Sequence, residues 1–494
     1  MKRVSSATIA TVFGPNSGST GPLYRQLYDS VRQQVLLGHF SPGQKMPSTR
    51  ILAADLGVSR NTVLNAFEQL KAEGYLQGTS GSGTYVAPAL PDEMTHAPRS
   101  KAPNGPARIN HLRLSNFGAR IVKMDVTPAR TSFSVRPFQP GIPAVDEFPF
   151  DVWTRISNRH WKSRPSRLLT YDEAAGYMPL RKAVADYLRV ARAVRCDPEQ
   201  VIIVSGAQQA IDLTARLLLD PGDPVWVEDP AYASARGALR AASARLIPVP
   251  VDANGLVVAD GIASGSQARL VYTTPCHHFP LGMAMDAARR LELLDWAARS
   301  SARILEDDYD SEFRYSTRPL PALQSLDQTG SVIYLGTFSK VLFPALRLGY
   351  LVAPPDLVDP YLIAKGLTDR HGPTIEQAIV AEFISEGHFS RHIRRMRALY
   401  QERLETFLES AQAELPEGVV IPEPEAGMHA VALLPTGTDD RDIAARAASA
   451  GVSSMTLSSC YLGRPRASGL VLGFGAYGAR QSRLAMRKLA QVLS

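Results

Sequence analysis

The sequence predicts a small winged helix-turn-helix head, α-helical with a small β wing, followed by a linker and a large α/β domain that closes in a smaller α+β lobe. Three observations predict this. Residues 22–86 carry three helical patterns and then two short strand-like runs set off by glycines. A proline-rich, basic stretch follows. From about residue 137, short apolar runs alternate with helical patterns, as in a sheet covered by helices on both faces. A chain of 494 residues is too long for one small domain. The boundaries read as an N-terminal tail over 1–20, the head over 21–86, the linker over 87–136 and the large domain over 137–494, with its smaller lobe from about 360.

In the head, Pro22 suits a first helical turn, and Leu23, Leu27, Val31, Val35 and Leu36 recur at helical spacing to about residue 40. Ser41-Pro42-Gly43 is a turn. Ser48 is placed to cap a second helix that Gly57 stops, and Ser59 to cap a third that Gly74 ends. Val63, Leu64, Phe67 and Leu70 form the expected buried face of that third helix. Tyr75–Gln77 and Thr84–Val86 pair as a hairpin across Gly78, Gly81 and Gly83. In such a module the third helix enters the major groove of DNA with its N-terminal residues at the base edges. Here those are Ser59, Arg60, Asn61 and Thr62, with Arg50 placed for a phosphate and Gly81 and Gly83 in the wing.

Charge placement agrees. Eight basic residues against four acidic ones give residues 1–86 a net charge of +4, and 88–136 carry +5, so the rest of a +7 chain is slightly acidic. A polyanionic partner suits the basic quarter, and operator DNA is the one expected. Three scattered cysteines, Cys196, Cys276 and Cys460, fit neither a disulfide framework nor a paired metal motif, and no metal is expected. These scattered cysteines make a reducing cytoplasm the default, and no apolar run is long enough to cross a bilayer, so no membrane partner is expected.

In the large domain, Val201–Val204, Pro224–Val227, Arg269–Tyr272, Arg303–Leu305 and Val332–Leu335 read as buried parallel strands, and the polar residues gather at their ends. Lys340 follows the last of these. Thr337 and Ser339 flank it and Arg347 lies seven residues on, a set able to form an imine with an aldehyde and to grip its phosphate. Ser205-Gly206-Ala207-Gln208 opens a helix whose N-terminus favours a phosphate. The acidic run Glu306-Asp307-Asp308-Tyr309-Asp310 offers a carboxylate for a protonated ring nitrogen and a tyrosine for a phenolic oxygen. Tyr232 offers a face for stacking. Together these parts describe a site for pyridoxal 5'-phosphate (PLP).

Residues 23–86, with Pro47-Ser48-Thr49-Arg50, Leu56–Val63 and Gly81–Val86, resemble the winged helix of the GntR regulators, and residues from about 138 resemble a fold-type I aminotransferase. The fusion resembles the MocR subgroup of that family. The resemblance implies that Lys340 forms the Schiff base with PLP, that Asp307 faces the pyridine nitrogen and Tyr309 the 3-hydroxyl, and that Tyr232 stacks on the ring. It implies that Ala207, Gln208, Thr337, Ser339 and Arg347 hold the phosphate, and that Tyr171 reaches into the partner's site of a homodimer.

Two departures bear on turnover. Phe279-Pro280-Leu281-Gly282 stands where these aminotransferases have Asn-Pro-x-Gly, and Val471 falls in register with their substrate-carboxylate arginine. A valine cannot bind a carboxylate, so efficient transamination is not expected. The expectation is a cytoplasmic, PLP-dependent transcriptional regulator whose DNA binding responds to PLP, an amine or an amino acid. The alternative is a working aminotransferase with a DNA-binding head attached.

Overall fold

The computed structural model describes residues 4–13, 21–79, 83–89, 113–122, 135–163, 166–315 and 320–494. The chain divides into two compact units, Met1–Arg113 and Leu114–Ser494.

The first unit packs helices α1 (Ser6–Val12), α2 (Leu23–Leu36), α3 (Thr49–Leu56) and α4 (Arg60–Ala72) against a hairpin of β1 (Leu76–Thr79) and β2 (Gly83–Val86). Ser48 accepts from the Ile51 N–H, and Gly57 ends α3 in the left-handed region. Val31, Leu52, Val63, Phe67 and Leu70 form the centre of the core. Leu64, expected inside, is 37% exposed, and Leu23 and Leu36 also face outward. The segment expected to be a tail instead contributes α1, with Val4 and Ile9 buried in the same core. Small domains bury a low fraction of their surface, so an added amphipathic turn completes the apolar packing.

The expected linker also carries structure. Helix Asn116–Val122 lies within 87–136, and Arg120 donates to Ser243 Oγ of the second unit at 2.7 Å. Residues 90–112 and 123–134 lie outside the described residues.

The second unit is built on an eight-stranded sheet in the order β3-β10-β9-β8-β7-β4-β5-β6. These strands are β3 (Val201–Val204), β4 (Pro224–Asp229), β5 (Arg245–Asp252), β6 (Gly255–Leu256), β7 (Leu270–Thr273), β8 (Arg303–Asp308), β9 (Val332–Thr337) and β10 (Gly349–Val352). Strands β9, β8, β7, β4 and β5 are parallel. Strand β3 was expected to be parallel, but it pairs antiparallel with β10, which itself runs antiparallel to β9. An all-apolar four-residue run records burial on both faces but not direction. Val225, Val227, Leu305 and Ile333 pack on one face of the sheet, while Trp226, Val271 and Ile304 join a separate core on the other.

A second, three-stranded sheet, β11 (His429–Leu433), β13 (Gly469–Gly473) and β12 (Met455–Thr456), forms the smaller lobe. Residues just before the large sheet contribute to it. Phe138 bridges Gly473, and Arg136 donates to the Ala448 carbonyl at 3.1 Å. The lobe therefore draws on residues near 136 as well as those beyond 360. No helix among the described residues is long and apolar enough to cross a membrane.

Candidate cofactor pocket and nucleic-acid face

A cavity of about 320 Å³ opens at the C-terminal ends of the parallel strands, and Lys340 lies in its wall. The lysine amine donates to the Gly141 carbonyl at 2.8 Å. Gly141 has φ +76°, and a β-carbon there would come within 2.5 Å of Lys340 Nζ. Only glycine lets this backbone approach the amine. Burial pulls the amine below the usual lysine range, with Asp310 and Asp307 opposing.

Strand alternation separates the acidic run at the end of β8. Asp308 turns away from the pocket into an ion pair with Arg192 at 2.8 Å and accepts from the Tyr334 hydroxyl at 2.6 Å. Asp307 turns inward, where its Oδ2 accepts from the Tyr272 hydroxyl at 2.7 Å while its Oδ1 is buried without a partner among the described residues. Burial pushes the Asp307 carboxyl up to about 6. A group carrying an N–H⁺ would satisfy that oxygen and favour its ionised form.

At the other end, Gly206 (φ +116°) turns the chain from β3 into helix Ala207–Leu218, whose first turn has no side-chain cap. A β-carbon on Gly206 would sit 3.3 Å from the Arg347 guanidinium. An uncapped helix N-terminus beside an arginine is a cradle for a dianion. Thr337 and Ser339 lie on the same wall, with the Ser339 N–H donating to Thr337 Oγ1 at 3.1 Å. The Gln208 side chain donates to the Ser234 carbonyl at 3.2 Å. The orphaned carboxylate oxygen, the amine and the anion cradle on one cavity fit PLP.

Tyr232 lines the cavity edge-on to Phe279, with ring centroids 5.5 Å apart. The loop bearing Phe279 is held by its own N–H, which donates to Thr274 Oγ1 at 3.0 Å. Thr274 in turn donates to the buried Glu228, whose carboxyl burial pushes up to about 7. Tyr171 does not line the cavity of its own chain. It is 79% exposed, with Arg370 over its ring at 4.8 Å. Val471 pairs with Val431 and Met455 across the lobe sheet and is fully buried, and Met455 lines the cavity beside it.

Sequence reasoning missed several wall residues: Pro140 and Gly141, Met428 and His429, and Met455. They come from three distant stretches joined only by the tertiary fold, and none carries a local motif. It also assigned no role to Asp310 or His277. His277 Nδ1 lies 2.7 Å from Asp310 Oδ1 and 3.0 Å from the Tyr309 hydroxyl. His429 packs against the His277 ring and meets the Pro280 carbonyl at 3.1 Å. A hydrogen bond brings His277 to Asp310, and His429 joins them by ring packing.

On the head, the Ser59 side chain accepts from the Thr62 N–H at 3.1 Å and lies 2.8 Å from its hydroxyl. Both are engaged in capping α4, while Arg60 and Asn61 are exposed beside them and Arg50 is exposed at the start of α3. Gly83 has φ +120°, and a β-carbon there would press on Lys45 at 2.9 Å. Gly81 lies outside the described residues.

A family model for aminotransferase class I and II matches residues 144–459, and one for bacterial regulatory proteins of the gntR family matches residues 23–86. The chain is 40% identical over 469 residues to a probable rhizopine catabolism regulatory protein, MocR, of Rhizobium meliloti, covering 95% of this chain and 93% of that one. It is 30% identical over 473 residues to the pyridoxine biosynthesis transcriptional regulator PdxR of Corynebacterium glutamicum, covering 95% of each. Among solved structures, a multiple substrate aminotransferase from Thermococcus profundus superposes with a TM-score of 0.70 at 31% identity, covering 77% of this chain and 97% of that one.

Proposed function

Since the chain belongs to the MocR-type regulators, with a DNA-binding gntR-family head joined to an aminotransferase class I and II domain, we propose that it is a PLP-dependent transcriptional regulator whose DNA binding is set at Lys340. The observation that carries this is the pairing of an exposed basic reading helix with a pocket suited to PLP on a single chain. When bound, PLP supplies an electrophilic aldehyde and an electron-withdrawing ring. Lys340 presents the amine, and Gly141 orients it. Asp307 would hold the ring-nitrogen proton and Tyr309 would donate to the 3-oxygen. Arg347, Thr337, Ser339 and the helix N-terminus at Ala207 and Gln208 would hold the phosphate. Tyr232 would cover the ring.

The protein acts as a homodimer in the cytoplasm, with Tyr171 reaching the partner's pocket; its exposure and its contact with Arg370 support that role. The effector is PLP itself or an amine that reacts at Lys340. An amino-acid carboxylate near Val471 and Met455 would lie against an apolar face, and burying an unpaired charge is costly. An effector shifts the regulator only as far as its affinity differs between the two DNA-binding states.

The alternative, a working aminotransferase, draws on the 31% identity to the Thermococcus profundus enzyme. Footprinting upstream of the protein's own gene, with and without PLP, tests regulation, and absence of sequence-specific protection in both states rejects it. Rapid conversion of bound PLP to its amine form by amino acids, followed by turnover on a keto acid, would favour the enzyme.

A further inference from the structure

Phe279 lines the pocket at the position where the resemblance implies an asparagine beside the cofactor's hydroxyl. We propose that His277, held by Asp310, is a positioning residue that turns the Tyr309 proton into the pocket and so replaces that asparagine. The inference rests on the PLP reading of the site.

The tyrosine carries one proton with two directions open to it, the His277 nitrogen or the cavity. His277 Nδ1 lies 2.7 Å from Asp310 Oδ1, and a carboxylate only accepts, so the proton between them belongs to Nδ1. Tyr309, 3.0 Å from the same nitrogen, can then only accept from it, and its own O–H points elsewhere. Tyr309 lines the cavity, and on the PLP reading a donor there would meet the ring's 3-oxygen. Gly427 (φ +80°) locks the pair from the lobe side: a β-carbon on it would fall 2.6 Å from His277 Nδ1 and 2.8 Å from Asp310 Oδ2. His277 and Asp310 are both buried. His277 Nε2 has no partner among the described residues, so the bonds at Nδ1 set its tautomer.

The charged and titratable groups around Tyr309 are Asp307, Asp308 and Asp310 from its own segment and Glu228 from β4. Lys340 lies across the cavity, and His277 and His429 are on the lobe side. Burial, then Asp310 and Asp307, raise the tyrosine phenol well above its ordinary range, which favours its protonated, donating form.

With PLP loaded, a hydrogen bond given to the 3-oxygen would lower the pH at which the long-wavelength band titrates. The test is the pH titration of the long-wavelength absorbance of the PLP-loaded full-length protein. His277→Leu is expected to raise the midpoint by about one pH unit, the scale of one hydrogen bond to a charged group. His277→Asn, whose amide can still donate to Asp310, is expected to titrate close to the parent. In a Tyr309→Phe background, His277→Leu is expected to add no shift. If His277→Leu does not fold, His277→Ala, which also lacks a donor, takes its place in both backgrounds. An unmoved midpoint, or an equal shift with and without the Tyr309 hydroxyl, overturns the inference. A parent protein with no long-wavelength band at all rejects the PLP reading instead.

Discussion

At the residue scale, two adjacent aspartates are given opposite tasks by one strand. Asp308 is neutralised by Arg192, whereas Asp307 keeps a buried oxygen without a partner among the described residues. In the cofactor-free protein burial pushes the Asp307 carboxyl up to about 6 from its ordinary 3.8, so between these values the folded state favours a proton that the unfolded chain has lost. Its contribution is therefore complete below about 4 and disappears as pH rises through about 6. Asp307→Asn should remove that dependence: across this window the cofactor-free parent should lose roughly 2–3 kcal/mol relative to the variant. Urea melts at several pH values measure it, and parallel pH profiles would show that the carboxyl is not strained. Arg60→Ala should weaken specific DNA binding by roughly 1–3 kcal/mol and leave PLP loading unchanged. A gel-shift titration against operator and random DNA reads the first effect, and absorbance reads the second.

At the element scale, the caps decide where the reading helix starts. Ser59 accepts from the Thr62 N–H at 3.1 Å, so Ser59→Ala should cost about 1 kcal/mol and loosen the first turn of α4. Hydrogen exchange of the α4 amides is the readout; unchanged protection would remove the cap from the account. Helix α1 makes a separate prediction. Ile9 is 1% exposed in the head core, so Ile9→Ala should lower stability by about 2 kcal/mol and speed exchange throughout α2 and α3. Full protection in that variant would mean α1 adds nothing to the head.

Elements with local punctuation were legible in the sequence. Ser48, Gly57 and Ser59 bound α3 and α4 where capping chemistry places them. The helix at residues 6–12 was not legible, because seven residues hold too few turns to show a period. The direction of β3 was not legible either, since it depends on β10, nearly 150 residues later. The pocket divides in the same way. Lys340, Asp307, Tyr309 and Arg347 sit at strand ends with telling neighbours, whereas Gly141, His429 and Met455 reach the cavity only through packing of the lobe.

At the scale of the whole molecule, one chain carries a groove-reading helix and a pocket suited to a reactive aldehyde. For these to form a switch, binding at Lys340 must change DNA affinity, and couplings of this kind commonly span 5–150-fold. The most direct measurement is the affinity of the full-length protein for its operator with and without PLP, in the parent and in Lys340→Ala. The parent should shift by at least about fivefold, and Lys340→Ala should bind the operator with one affinity in both conditions. Equal affinity in the parent with and without PLP, or an undiminished response in Lys340→Ala, would contradict the claim that the switch lies at this lysine.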